Sequence, residues 1–326
     1  MVSLFSSFEK LKVAVVGDVM LDTYWWGNVE RISPEAPVPV VSMHHKECRI
    51  GGAGNVAINL AALGAKTTIF SVIGHDEEGS TLKKLLEENN INTNHIISSP
   101  KRITTNKTRV VCRNQQLMRI DHETTEDLNN ILEAELLNSI ERYIVLEQPA
   151  ILIFEDYNKG ILTAGLISSV IDICKKHHVL TAVDPKKKNF FSYVGVDIFK
   201  PNLKEVKEGL NISLEAVNLE SMQAVHQSLQ QLLHHQISFI TLSEKGVFYN
   251  SPTQSAIIPC HVRNIADVSG AGDTVIAVTS LVYASTKDIQ LASAMGNIAG
   301  GLVCEEVGTA VINKEKLFNE CKQLLG

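Results

Sequence analysis

Apolar positions along the chain follow two alternating patterns. Short continuous apolar runs predict buried strands, and runs with helical spacing predict amphipathic or buried helices between them. The predicted strands are 12–18, 67–74, 150–157, 179–185, 197–202 and 237–243. The predicted helices are 54–65, 80–90 (capped by Ser80), 163–177, 217–235, 270–285 and 288–304. This alternation predicts a three-layer α/β/α core with a mostly parallel central sheet.

Two segments, 23–47 and 101–121, lack helical spacing and interrupt this alternation. Both carry short alternating β character, and valines such as Val38, Val40 and Val110 are poor choices for solvated loops. We therefore expect a small β layer laid over the core, with long surface loops as the alternative.

Composition narrows the class of protein. A chain of 326 residues with 44% hydrophobic and 20% charged residues is an ordinary globular protein of one large or two smaller domains. The formal net charge of -6 argues against broad nucleic-acid binding. The six cysteines form no CxxC pair, which predicts reduced thiols. The first residues lack the pattern of a signal or membrane segment, so we predict a cytoplasmic protein with no membrane partner.

The stretch DVSGAGDT, 267–274, places a glycine turn and a carboxylate at the start of a predicted helix. Unpaired N–H groups at a helix N-terminus attract anions, and Gly270, Ala271 and Gly272 would let a phosphoryl group approach that backbone. Asp273 would then orient a substrate hydroxyl and accept its proton. The alternative is that Asp273 only caps the helix.

A second glycine cluster, GGAGNVA at 51–57, allows two interpretations. It fits the dinucleotide fingerprint GxGxxG/A, although HHKECRI precedes it instead of a clean hydrophobic strand. Alternatively, the turn brings its backbone and Asn55 close to a polyhydroxylated ligand. The chain has no P-loop motif GxxxxGK[ST], so if it binds ATP, it binds the phosphates with a different structural motif.

Together, GGAGNVA and the late D-x-x-GAGD-T resemble the ribokinase-like, or phosphofructokinase B, family of sugar kinases over nearly the whole chain. Further stretches are similar to the heptose-phosphate kinases of lipopolysaccharide core biosynthesis. These are GDVMLDTYWWG (17–27), RISPEAPVPVV (31–41), RNQQLMRID (113–121), EDYNKG (155–160), DPKK (184–187), KPNLKE (200–205) and VGTAVI (307–312). The resemblance implies transfer of a phosphoryl group from ATP, with Mg²⁺, to the anomeric hydroxyl of D-glycero-D-manno-heptose 7-phosphate.

The resemblance also implies roles for individual residues. Asp273 would be the base, and Gly270, Ala271 and Gly272 the anion hole. Sugar hydroxyls would be bound by Asp22, Gly51, Gly52 and Asn55. The nucleotide and its phosphates would be bound by Asn202, Glu205, Thr241, Ser243, Gly246 and Asn297. Glu205 would place Mg²⁺, through water if needed, and Asp267 and Val268 would hold a monovalent cation such as K⁺.

Two of these roles have structural alternatives. Asp22 could be a capping residue, and N-x-x-E at Asn202 and Glu205 is also a capping-box pattern. The substrate's own phosphate needs cations, for which Arg109, Arg113, Arg119 and Lys186 are candidates. We expect Arg113 and Lys186 to serve, although Lys186 also begins a lysine run that could be solvated.

The resemblance implies a single kinase domain over 1–326, with no nucleotidyltransferase domain and with the lid segments 23–47 and 101–121 inserted in the core. It also implies a homodimer formed through the lid. Three alternatives remain: a kinase for another sugar or sugar phosphate such as fructose 1-phosphate, a nicotinamide-dependent oxidoreductase, and a catalytically silent sugar-binding regulator.

Overall fold

The computed structural model describes residues 1–113, 115–261 and 263–326. In this part of the chain, the larger sheet has nine strands in the order β13-β12-β11-β10-β9-β8-β1-β4-β5. Its strands are β1 (Lys12–Gly17), β4 (Lys66–Gly74), β5 (Asn92–Ser99), β8 (Ile151–Glu155), β9 (Leu180–Asp184), β10 (Ile198–Phe199), β11 (Ile237–Thr241), β12 (Val247–Asn250) and β13 (Ser255–Ile258). Strands β4, β1, β8, β9, β10 and β11 pair in parallel, and β12 and β13 add antiparallel at one edge.

Helices cover both faces of this sheet. They are α1 (Val2–Ser7), α2 (Ala53–Ala62), α3 (Glu77–Glu88), α4 (Asn130–Glu147), α5 (Ala164–Lys176), α6 (Leu203–Leu210), α7 (Leu219–Leu233), α8 (Ala271–Thr286), α9 (Ile289–Val303) and α10 (Lys314–Leu325). Short 3₁₀ turns lie at Phe8–Lys10, Lys187–Asn189 and Ser243–Lys245.

The central strand β1 shows why the sheet needs two covering layers. Val13 and Val15 are fully buried in one hydrophobic cluster, whereas Ala14 and Val16 are fully buried in the other. Because successive side chains of a strand point to opposite faces, a continuous apolar run requires packing on both sides. The predicted three-layer α/β/α core is confirmed.

A second sheet of four strands, in the order β3-β2-β6-β7, is built from the two interrupting segments. Its strands are β2 (Val19–Ile32), β3 (Pro39–Gly52), β6 (Thr105–Cys112) and β7 (Gln115–His122). The expected β layer is therefore present, and its first hairpin is longer than the predicted segment 23–47. Val110 is buried, as expected for a strand residue. Val38 lies outside the strands and is exposed, so the expectation that it belongs to the β layer is wrong.

Two details of the helices differ from the sequence expectations. Helix α3 begins earlier than predicted, because the carboxylate of Asp76, and not Ser80, accepts the first-turn N–H of Gly79 at 2.8 Å. Helix α4 was not predicted, although its signals exist: Asn129 caps it, and Leu136, Ile140 and Tyr143 are buried at helical spacing.

The covalent and membrane features are simple. All six cysteines are free thiols, as their spacing predicted. Among the described residues, no helix combines the length and the apolar character that crossing a bilayer would need.

A buried histidine, His235, makes the stability of this fold dependent on pH, together with its half-buried neighbour His226. His226 Nδ1 and His235 Nε2 both contact the buried hydroxyl of Ser238, at 2.9 and 2.6 Å. Burial, with a contribution from His226, lowers the pKa of His235 from 6.5 to about 3. In the unfolded chain, this histidine binds a proton below about pH 6.5, whereas in the folded protein it does so only below about pH 3. The free energy of unfolding therefore decreases as the pH falls through this range.

We predict that this one group lowers the free energy of unfolding by about 2 kcal/mol between pH 7 and pH 5. Urea unfolding at both pH values should show a smaller loss in His235→Gln, because the glutamine amide keeps a contact to Ser238 but does not titrate. The exposed His44→Gln is the matched control and should lose as much as the parent protein. Equal losses in all three proteins would contradict the assignment to His235.

Candidate active site

The site lies where parallel strands of the large sheet end side by side. Gly17, Glu155 and Asp184 are the last residues of β1, β8 and β9, and they are direct neighbours in the strand register. Strands β1 and β8 are adjacent although β8 comes much later in the chain, so the order of strands reverses here. Ligands of open α/β sheets bind at such a reversal, outside the carboxyl ends of the strands.

Helix α8 delivers the glycine turn to this edge. Gly270 precedes the helix with a left-handed φ of 78°, and a side chain there would lie 2.8 Å from Asn55 Nδ2. The Ala271 N–H donates to the carbonyl of Val268 at 3.3 Å, so the N–H groups of Gly272 and Asp273 are left as first-turn donors. The anion hole stays a prediction, in which the N–H groups of Gly272 and Asp273 would contribute more than that of Ala271.

Asp273 is buried, and its carboxylate is held from two sides. Asn55 Nδ2 donates to Oδ2 at 2.7 Å, and the Tyr157 hydroxyl donates to Oδ1 at 2.7 Å. Burial raises the pKa of Asp273 to about 6, while both hydrogen bonds act to lower it. Its oxygens thus bond side chains of α2 and of the loop after β8, so the interpretation as a simple helix cap is wrong.

The early glycine cluster joins α2 to the small sheet. Gly52 precedes α2 with a φ of 59°, and a side chain there would collide with the carbonyl of Asp18. A side chain at Gly51 would lie 2.5 Å from Asp22 Oδ2. Asn59, one turn after Asn55, bonds Asn55, Thr274 and the Ile312 N–H, so it fixes α2 against α8.

Asp22 lies on β2 among cations of the small sheet. It is buried, forms an ion pair with Arg109, and is register partner to Arg49. Both guanidinium groups lie over the ring of Tyr24, at 4.9 Å for Arg49 and 5.3 Å for Arg109. Asp22 is thus part of a charged cluster and not a helix cap.

A second set of charges centres on Asp184. Lys200 Nζ lies 2.7 Å from Asp184 Oδ2, and Lys186 Nζ lies 3.1 Å from Oδ1 and 2.9 Å from Glu205 Oε1. Burial would raise the pKa of Asp184, but the two lysines hold it below the ordinary value. Lys186 is therefore placed beside Glu205 in an ion-paired cluster and is not part of a solvated lysine run.

Asn202 and Glu205 form the capping box that their spacing allows. Glu205 N–H donates to Asn202 Oδ1 at 2.9 Å, and Asn202 N–H donates to Glu205 Oε2 at 2.8 Å. The same Glu205 reaches Lys186 through its other oxygen. The cap and a place in the charged cluster thus coexist in one side chain.

The residues expected to line the nucleotide come together at the end of β11. Ser243 and Gly246 follow β11 with positive φ values of 54° and 94°, and Thr241 pairs with Asn202 in an isolated bridge. Asn297 donates to the carbonyl of Pro259 at 2.8 Å and accepts from Cys260, which also contacts the carbonyl of Ser243.

The expected monovalent-cation residues precede the glycine turn. Asp267 accepts the N–H and hydroxyl of Ser269 through Oδ1 and the N–H of Gly308 through Oδ2, at 2.8–3.0 Å. Burial acts to raise the pKa of Asp267, but these hydrogen bonds outweigh it and lower the pKa below its ordinary value. Val268 is exposed. The role of both residues stays a prediction.

One expected residue lies apart from these clusters. Arg113 is exposed in the turn between β6 and β7, with a φ of 49°. Several residues that pattern reasoning passed over do lie in the site: Tyr157, Glu155, Asp184, Lys200, Arg49 and Asn59. Glu155 and Asp184 carried a usable signal, because each is an acidic residue closing a buried strand.

A profile described as "pfkB family carbohydrate kinase" matches residues 10–316. The chain belongs to the pfkB family of carbohydrate kinases. Among curated proteins, the kinase is 37% identical over 303 residues to "Bifunctional protein HldE" of Sulfurimonas denitrificans, covering 93% of this chain and 62% of that protein. It is 36% identical to the protein of the same name from Syntrophotalea carbinolica, covering 97% of this chain and 64% of that protein. The chain thus spans somewhat less than two thirds of these relatives.

Solved structures support the same fold. Escherichia coli phosphofructokinase-2 in complex with potassium matches with a TM-score of 0.79 at 17% identity, over 97% of this chain and 100% of that one. Arabidopsis thaliana ribokinase complexed with ribose and ATP matches with a TM-score of 0.73 at 16% identity, over 94% and 98%.

The dinucleotide-binding interpretation of 51–57 is wrong. The family is one of sugar kinases, and α2 follows the antiparallel strand β3 of the small sheet instead of a parallel strand of the core. A dinucleotide fingerprint needs the latter arrangement.

Tyr157→Phe should raise the pKa of Asp273 above its value of about 6, because the variant removes a hydrogen bond that stabilises the charged carboxylate. Titration of ¹³C-labelled aspartate by NMR, without any substrate, measures this directly. Tyr283→Phe is the control. Tyr283 lies on α8, as Asp273 does, but does not contact Asp273, so this substitution should leave the titration of Asp273 unchanged. An unaltered Asp273 pKa in Tyr157→Phe would contradict the geometry described above.

Proposed function

We propose that this sugar kinase phosphorylates the anomeric hydroxyl of D-glycero-D-manno-heptose 7-phosphate to the 1,7-bisphosphate, in ADP-heptose and lipopolysaccharide core biosynthesis. The observation that carries a transferase role is Asp273, buried in the first turn of α8 beside the glycine turn. The heptose substrate rests on the motif resemblance and on relatives named HldE at 36–37% identity.

In the proposed reaction, Asp273 accepts the proton of the attacking hydroxyl. Asn55 and Tyr157 keep the carboxylate oriented, and a pKa near 6 leaves it ionised at neutral pH. The first-turn N–H groups of Gly272 and Asp273 stabilise charge on the phosphoryl group in flight. Since phosphoryl transfer has a loose transition state, a weakly basic carboxylate suffices.

ATP and Mg²⁺ are the proposed co-substrate and metal. Glu205 supplies a carboxylate of the kind Mg²⁺ prefers, but its oxygens already bond Lys186 and the Asn202 N–H, which favours contact through water. The ion's chemical role would be to neutralise charge on the phosphates. Asn202, Thr241, Ser243, Gly246 and Asn297 are the proposed nucleotide contacts, and Asp267 with Val268 the proposed K⁺ site.

The substrate's own phosphate needs cationic partners. Lys186 is paired with Asp184 and Glu205, and Arg113 lies exposed in a turn. Arg109 and Arg49 instead flank Asp22, the proposed sugar contact together with Gly51, Gly52 and Asn55. We therefore propose Arg109 and Arg49 for this phosphate because of their position beside Asp22. Each already pairs with a carboxylate, Arg109 with Asp22 and Arg49 with Glu47, but a guanidinium has five N–H donors and can bind more than one acceptor.

The remaining assignments are proposals of the same kind. We place the enzyme in the cytoplasm, where ATP is available, as a homodimer through the small sheet, whose exposed apolar residues include Met118 and Ile120. Residues 1–326 would act as one kinase domain, with the small sheet as a lid that excludes water. Nucleotidyl transfer lies outside this proposal.

The substrate is tested by ADP release across a panel of sugars and sugar phosphates that includes fructose 1-phosphate. Heptose 7-phosphate should give the highest kcat/KM, and Asp273→Asn should lower kcat by about 100-fold or more while ATP still binds. Asp172→Asn, an exposed carboxylate on α5, is the matched control and should keep full activity. Turnover with a different sugar would replace the substrate, and sugar binding without turnover in the parent protein would favour a silent regulator.

Arg109→Lys should raise KM for the phosphorylated sugar by about tenfold with a smaller change in kcat, because a lysine keeps the charge but loses the two-point contact. The same substitution at Arg113 is the control and should leave KM unchanged. If Arg113→Lys raised KM and Arg109→Lys did not, the exposed turn would be the phosphate site after all.

A further inference from the structure

The orientation of the Asn55 amide decides which group Asp273 faces. Asn55 Nδ2 donates to Asp273 Oδ2 at 2.7 Å, and an amide that was turned over would place its oxygen there instead. An N–H group stabilises the ionised carboxylate, whereas an amide oxygen would repel it and stabilise the protonated carboxyl group. The reactivity of Asp273 therefore depends on what holds the amide of Asn55 in place.

Asn59, one turn further along α2, holds that amide. It is fully buried, and its Nδ2 donates to the backbone carbonyl of Asn55 at 2.8 Å and to Asn55 Oδ1 at 3.3 Å. Its Oδ1 accepts the N–H of Ile312 at 2.9 Å and the hydroxyl of Thr274 at 3.3 Å. Both hydrogens and both lone pairs of the Asn59 amide are thus used.

Two backbone groups fix the direction of the Asn59 amide. The carbonyl of Asn55 can only accept a hydrogen bond, and the N–H of Ile312 can only donate one. If Asn59 were turned over, its Nδ2 would face the Ile312 N–H and its Oδ1 would face the Asn55 carbonyl, so both bonds would be lost. Asn59 Nδ2 therefore faces Asn55, which makes Asn55 Oδ1 the acceptor and directs Asn55 Nδ2 at Asp273.

This chain of hydrogen bonds matters most when Asp273 carries a proton. A protonated carboxyl group donates a hydrogen bond, and an unrestrained amide beside it would turn over to accept that bond. Turning Asn55 over would set its NH₂ group against the NH₂ group of Asn59. Asn55 therefore stabilises the ionised form of Asp273 alone.

We propose that Asn59 is a positioning residue of this kinase, which keeps the N–H group of Asn55 directed at Asp273 whether or not the carboxylate is protonated. It acts through Asn55. The inference rests on the proposed function, in which Asp273 accepts the proton of the substrate hydroxyl. Its consequence is that Asp273 releases that proton more readily after each turnover than it would beside an unrestrained amide.

Four titratable groups face Asp273 from other elements: Glu155, Tyr157, Asp184 and Lys200. Burial raises the pKa of Asp273 most, Asp184 acts in the same direction, and Lys200 acts to lower it. Among the described residues, the hydrogen bonds of the Asn59 side chain reach none of these four groups. A substitution of Asn59 thus changes the setting of the neutral amide and leaves the charges in place.

The measurement is the pKa of Asp273 in the protein alone, by NMR titration of ¹³C-labelled aspartate, with the signal assigned by its absence in Asp273→Asn. Asn59→Leu keeps the branched shape but removes the donors and acceptors, so Asn55 can turn over when Asp273 is protonated. The pKa of Asp273 should rise by about half to one pH unit, the equivalent of one hydrogen bond.

Asn189→Leu is the matched control. Asn189 is also buried, and its Nδ2 donates to Asp156 at 3.0 Å and to the carbonyl of Leu162 at 2.7 Å, away from Asp273. This variant loses buried hydrogen bonds of the same kind, so it should be less stable but should leave the titration of Asp273 unchanged.

Thermal unfolding checks that the variants fold. If Asn59→Leu does not, Asn59→Ser takes its place, because a serine side chain is too short to hold Asn55 Oδ1, and the same rise is expected. An unchanged or lowered pKa of Asp273 in the Asn59 variant would overturn the proposal, as would an equal rise in Asn189→Leu.

Under the proposed function, the pH dependence of turnover shifts in the same way. The acidic limb of kcat/KM, which Asp273 sets at about pH 6 in the parent protein, should move upward in Asn59→Leu, and activity should return at about pH 8.5. Activity lost equally at every pH would contradict a positioning role and indicate a structural one. Because the NMR titration needs neither sugar nor ATP, a wrong substrate assignment leaves its result intact, so the two failures are distinguishable.

Discussion

Burial of carboxylates at one edge of the large sheet is the constraint on which the rest of the site depends. Asp18, Glu155, Asp184 and Asp273 are all nearly inaccessible to water, and each ionised carboxylate without water needs donors or cations from the protein. Asp184 has two lysines and Asp273 has an amide and a phenol. The loops at this edge are shaped by the need to supply those groups.

Asp18 shows how this requirement organises the backbone. Its carboxylate accepts the N–H groups of Tyr157, Lys159 and Ile161, at 2.8–3.1 Å, and its carbonyl accepts the N–H of Ala53 at 2.9 Å. One residue after β1 thus fixes the loop after β8 and the start of α2 together. These two elements carry Tyr157 and Asn55, so the donors to Asp273 are positioned by one residue, Asp18, through its carboxylate and its backbone carbonyl.

The sequence predicted the parts of this design that are local. Glycine turns before α2 and α8 and apolar runs on β1 and β8 are properties of neighbouring residues, and the structure has them as expected. Pairings between distant residues were not predictable, because Tyr157 meets Asp273 across 116 positions and only the topology brings them together. The ion pair between Arg109 and Asp22 was not predictable for a similar reason, because the two residues are 87 positions apart and meet only through the pairing of β6 with β2. A phosphate-binding role for Arg113 stays a prediction.

The cations of the site are divided between the two sheets, and this division matters for a substrate that already carries a phosphate. Arg49 and Arg109 lie on the small sheet beside Asp22, whereas Lys186 and Lys200 follow strands β9 and β10 of the large sheet and pair with Asp184. Under the proposed function, the end of the sugar that carries its own phosphate faces the two arginines, and the end that receives the phosphoryl group faces the two lysines. The two phosphates then do not share one cluster of cations. The repulsion between the two phosphates is then small, because a Coulomb interaction weakens as the distance between the charges grows. Under the proposed function, the small sheet would bind the substrate's own phosphate without competing for the lysines that neutralise Asp184. Asp273 has neutral hydrogen-bond donors instead, the amide of Asn55 and the phenol of Tyr157.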